Sequence, residues 1–112
     1  MGQLTYANST APIEIDDDVL AHLRTVTITK LRRGESFALT IPTAGKARAT
    51  LWIHSAIPIQ FAVEEGVDLQ RPLLASMMEA ANTSGGIDLA DRRLRPDAPR
   101  LDETRHMHAV SA

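Results

Sequence analysis

Apolar and polar residues alternate over two short stretches at the start of the chain, weakly over residues 2–6 and clearly over 12–15 (Pro-Ile-Glu-Ile). A period of two puts successive side chains on opposite faces of an extended strand. The turn formers Ala-Asn-Ser-Thr-Ala lie between them at 7–11, so the pattern predicts an N-terminal hairpin. The period then lengthens. Leu20, Leu23, Thr27 and Leu31 fall on one helical stripe with Val19 and Val26 beside it, which predicts a helix that begins at Asp16, Asp17 and Asp18 and stops at Gly34. Carboxylates cap free N–H groups and favour the positive end of a helix, cations favour its negative end, and glycine adopts the left-handed stop. The run Thr25-Val26-Thr27-Ile28-Thr29 has strand preference. Because both ends are marked, helix is the expectation.

Residues 36–41 and 47–54 read as strands joined by a loop holding Pro42 and Gly45, and 57–63 alternates again after the break at Ser55-Ala56. Pro58 assigns that third strand to an edge or a strand start. Pro72 suits the first turn of a second helix, whose stripe is Leu73, Leu74, Met77, Met78 and Ala81 and which ends near Asn82. Thr83-Ser84-Gly85-Gly86 is a turn, and Ile87-Asp88-Leu89 adds one short strand. The predicted fold is α+β, in the order β-β-α-β-β-β-α-β: a small antiparallel sheet of five to six strands with two helices packed on one face. Its predicted core is Leu4, Ile13, Ile15, Leu20, Leu23, Leu31, Phe37, Leu39, Leu51, Ile53, Ile59, Phe61, Leu74, Met77 and Met78.

A chain of 112 residues can bury one core, so a single domain over 1–89 is expected. Residues 90–112 hold five arginines, four acids and few large apolar groups, which predicts a flexible charged C-terminal tail. No run reaches the roughly 20 apolar residues of a membrane span, and the opening residues do not form a signal peptide, so a cytoplasmic protein without membrane contact is expected. Zero cysteines exclude disulfides and thiol chemistry. Net charge is −2 but unevenly spread: residues 19–63 hold six bases (Arg24, Lys30, Arg32, Arg33, Lys46, Arg48) against Glu35 alone, for +5. A segregation of that kind can build a basic face on an acidic protein.

Glu14-Ile15-Asp16, Leu20-Ala21-His22-Leu23, Lys30-Leu31-Arg32-Arg33-Gly34-Glu35-Ser36-Phe37, Thr50-Leu51-Trp52-Ile53-His54 and Ala81-Asn82-Thr83-Ser84-Gly85-Gly86 occur in this order. Over residues 1–89 the chain thereby resembles a family of short actinobacterial proteins of unassigned function, the segment that begins at Lys30 being the most specific element. Members are often labelled ATP-dependent DNA ligases, and the resemblance carries that label with it. A nucleotidyl transferase of that kind needs a lysine nucleophile in a Lys-x-Asp-Gly setting and acidic metal ligands. The two lysines here, Lys30 and Lys46, are followed by Leu31-Arg32-Arg33 and Ala47-Arg48-Ala49, so neither has that setting.

Several groups carry candidate chemistry. Lys30, Arg32 and Arg33, joined by Arg24, Lys46 and Arg48, can contact phosphates, or they are solvated charges on a capped helix end. Trp52 and His54 share one side of a strand and could stack on a base, or form a partly buried pair. His106, His108, Asp102 and Glu103 fit no defined metal spacing, and no cofactor motif is present. Two roles follow: a non-catalytic nucleic-acid accessory module using the basic segment, or a protein-interaction or homo-oligomer module in which charge matters less.

Overall fold

The computed structural model describes residues 1–96. Six strands, two helices and one 3-10 turn follow one another as β1 (Gly2–Tyr6), β2 (Ile13–Ile15), α1 (Asp17–Arg32), β3 (Phe37–Pro42), β4 (Arg48–Ile53), β5 (Ile59–Ala62), α2 (Arg71–Ala81), β6 (Ile87–Asp88) and the turn Arg92–Leu94. The order is the one the periodicity predicts.

The sheet is not single. The strands form two three-stranded sheets, ordered β2-β1-β5 and β4-β3-β6. All pairs are antiparallel except β3 with β6, which is parallel, with Leu39 opposite Ile87 and Thr40 opposite Asp88. The chain changes sheet three times, twice through a helix and once directly, between β4 and β5. There Ile57 N–H donates to the His54 carbonyl and Ala56 N–H to His54 Nδ1, each at 3.0 Å, closing a turn that carries the chain away from β4. Pro58 has no N–H to extend a ladder, and its carbonyl instead accepts from Ala7 N–H at 2.7 Å, delivering β5 to β1. Tyr6 bridges the two sheets, its hydroxyl donating to the Trp52 carbonyl at 2.7 Å.

Helix α1 packs on β1 and on α2, while α2 packs on β3, β6 and the final turn, so each sheet has its own helix. The core between these layers contains Leu4, Leu20, Leu23, Leu39, Ile53 and Met77, with Leu73, Ile41 and Ile87 added to those the pattern selects. Ile13, Leu31, Leu51, Ile59, Phe61, Leu74 and Met78 are half-buried around it. Leu94 also enters the core, at 3% exposure, so packing extends past residue 89; the rest of the expected tail, from 97, lies outside the described residues. Gly86 is required where it stands: its φ is +71°, and a Cβ there would run into the Ala38 carbonyl of β3.

The β-branched run is helical, and two of its three hydroxyls bond back to the helix. Thr25 Oγ1 donates to the Ala21 carbonyl at 3.1 Å and Thr29 Oγ1 to the Thr25 carbonyl at 2.8 Å. The aspartates at the start act differently from the expected cap. Asp16 occupies the N-cap without a side-chain bond; Asp17 accepts from Glu64 N–H at 3.3 Å and sits 3.0 Å from the Met1 amino group.

His22, 1% exposed, ties the two helices together. Its Nε2 lies 2.8 Å from the amide nitrogen of Gln70, the N-cap of α2, and its Nδ1 lies 2.5 Å from the Asp18 carbonyl. Since Gln70 N–H can only donate, Nε2 accepts and the ring proton is on Nδ1, donating to Asp18. Both nitrogens are satisfied only in this neutral form. His22→Phe keeps a ring in place but takes the acceptor from the part-buried Gln70 N–H bond, and it is expected to cost about 1–3 kcal/mol. A urea titration should show a lower midpoint at unchanged slope; an unchanged midpoint would contradict the assignment.

Candidate functional site

The segment from Lys30 to Phe37 is built as a helix stop. Gly34, at φ +73°, turns the chain back so that its N–H donates to the Leu31 carbonyl and Glu35 N–H to the Lys30 carbonyl, both at 3.0 Å. These are the two bonds of a Schellman closure. The same turn returns the Glu35 side chain over the last helical turn, where Oε1 lies 2.8 Å from Lys30 Nζ. Lys30 is 5% exposed and donates also to Asn82 Oδ1, at 2.6 Å, on the C-cap of α2. One ammonium therefore joins the end of α1, the entry to β3 and the end of α2. The hydrogen bond from Lys30 holds the Glu35 carboxyl below its ordinary range.

A cleft of about 470 Å³ opens beside this node. Ser36, Thr83 and Trp52 contribute to its walls, so three of the segments that carry the family resemblance converge here. Trp52, the only tryptophan, is 53% exposed. His54 is not among the residues that line the cleft; its Nδ1 accepts from Ala56 N–H in the β4–β5 turn.

The six basic candidates are dispersed. Lys30 is inside. Arg48 on β4 is paired with Asp88 on β6 across the outside of the second sheet. Lys46 is exposed in the β3–β4 loop and Arg33 at the C-cap of α1. Arg24 and Arg32 come together on one flank of α1, roughly 120° and 160° around the helix from Lys30 at 100° per residue. They border a second surface, a groove also of about 470 Å³ between α1 and β5.

Ile28, Leu31, Ile59 and Phe61 give this groove an apolar floor. Ile28 is 49% exposed, an unusual position for a large aliphatic side chain beside two arginines. Thr27 also lines the groove, and its hydroxyl is the buried side-chain polar atom without a hydrogen-bond partner among the described residues. Sequence reading placed Thr27 on the buried stripe and missed Ile28, because an apolar residue off the main stripe reads as incidental. The signal was present in the spacing: positions 24, 28 and 32 share one helical flank.

The fold and these surfaces define a small α+β domain with an arginine-bordered apolar groove and a buried lysine node. The chain belongs to the family described as Domain of unknown function (DUF7882), whose model matches residues 1–92. No curated protein and no solved structure matches it. Among the described residues no helix is long and apolar enough to cross a membrane, and no three His, Asp or Glu side chains gather to hold a metal. His106, His108, Asp102 and Glu103 lie outside the described residues.

The ion pair of the node has a pH signature. Glu35 has a lowered folded-state pKa, so its contribution to stability is complete above the ordinary value of 4.5 and is lost as pH falls through the lowered folded value. Glu35→Gln should therefore be less stable than wild type at neutral pH, and the gap should narrow as pH falls below 4.5. Thermal melts across that range check this; a gap constant with pH would contradict the pair.

Proposed function

We propose that this domain is a non-catalytic interaction module that receives a protein partner in the groove between α1 and β5. The observation that carries the reading is Ile28, 49% exposed where it lines the groove between two arginines. Leu31, Ile59 and Phe61 add apolar area and Arg24 and Arg32 add charge, which is the composition of an interface centre with a polar border.

The nucleic-acid reading asks Arg24, Lys30, Arg32, Arg33, Lys46 and Arg48 to contact phosphates together. It draws less support, since Lys30 is buried against Glu35 and Asn82 and Arg48 is paired with Asp88. The absence of cysteine from the sequence is in keeping with a module that works in the cytoplasm.

Panning displayed random peptides over the immobilised domain tests the proposal. The expected result is a set of peptides that bind wild type and lose at least tenfold in affinity against Ile28→Glu, a substitution at an exposed position that should leave the melting curve in place. Peptides that ignore this substitution would overturn the reading. So would salt-sensitive binding of duplex DNA that disappears in Arg24→Ala/Arg32→Ala.

A further inference from the structure

We infer that the occupant of the groove is an extended acidic segment of another protein, added to the free edge of β5 as a fourth strand of the first sheet; this rests on the interaction-module reading above. Among the described residues, β5 is terminal in the order β2-β1-β5, and its residues 59–62 pair with β1 on one side only. Alternate N–H and C=O groups of such a strand point outward and can pair with an incoming chain. The groove opens over the face of this terminal strand, since Ile59 and Phe61 of β5 line it together with the flank of α1. A strand laid along β5 would place one of its faces beneath Ile28 and Leu31.

The charges select the occupant. Arg24 and Arg32 are eight residues apart on the helix, about 12 Å at 1.5 Å per residue. Along an extended strand that span is four residues, about 13 Å, and residues i, i+2 and i+4 face the same side. The complementary face is therefore acidic, apolar, acidic, with the carboxylates at Arg24 and Arg32 and the apolar side chain between them on Ile28 and Leu31. Pairing β5 with β5 of a second copy would set these arginines against their own kind, which opposes self-association. The exposed acids Glu64 and Glu65 follow β5 and bound the basic stretch at that end.

The test is a titration of the full chain, followed by NMR, with the peptide Thr-Glu-Thr-Val-Thr-Glu-Thr and with its counterpart Thr-Lys-Thr-Val-Thr-Lys-Thr. The acidic peptide should bind wild type more tightly by at least tenfold, weaken with salt, and slow amide exchange within residues 59–62. Arg24→Glu/Arg32→Glu should reverse the preference and take the lysine peptide, with the same slowing of exchange within residues 59–62. Equal binding of the two peptides, binding without protection of β5, or protection of β5 by self-association at high protein concentration would each overturn the inference. If panned peptides still dock in the groove while the acidic strand does not, the strand inference falls alone; if neither docks, the module reading falls with it.

Discussion

The fold turns on the desolvation of one ammonium group. A buried lysine is costly unless its protons are taken up, and a half-paired one is worse than an apolar replacement. Lys30 meets that demand from two directions, with Glu35 delivered by the left-handed turn at Gly34 and Asn82 delivered by the end of α2. Neither partner is near in sequence to the other, so the charge can be buried only when α1, the start of β3 and α2 are already in place. His22 makes a second neutral tie, from one turn above Asp18 on α1 to the start of α2. The two helices are thus fastened at both ends of α2.

That fastening fixes where α1 lies, and the groove is a consequence. The helix has 16 residues and packs on β1, while the sheet beneath it has only three strands. Its inner face is covered by the core and its far flank borders the groove with Ile28, Leu31 and the two arginines. In a closed sheet those residues would have a strand below them. Here they face a terminal strand four residues long, kept short by Pro58 before it and Glu64-Glu65 soon after it. Short, bounded edges of this kind resist indiscriminate pairing while leaving room for a matched partner.

The elements were legible in the sequence because each follows its own period and its ends carry local marks, as with Lys30, Arg32 and Gly34 at the end of α1. The division into two sheets was not, since it depends on β1 choosing β5, nearly sixty residues away, and on β6 adding in parallel to β3. No local pattern encodes that choice; the turn at His54 and Pro58 permits it, and packing decides it. Residue type misled where position would not. Val19, His22, Val26 and Lys30 recur at helical spacing on one stripe, yet Lys30 reads as a surface charge until its partners are visible. The basic segment was likewise legible as charge and illegible as geometry, because six positive residues on a helix end, a loop and a strand need not face one way.

Lys30 gives its charge to Glu35 and Asn82 within the fold, and in the function proposed above Arg24 and Arg32 act at the groove. Direct detection of the Lys30 ammonium protons by ¹⁵N-edited NMR, with and without added DNA, tests it most directly. The ammonium signal should be distinct, slowly exchanging and unmoved by DNA. A rapidly exchanging signal that shifts on addition of DNA would contradict it.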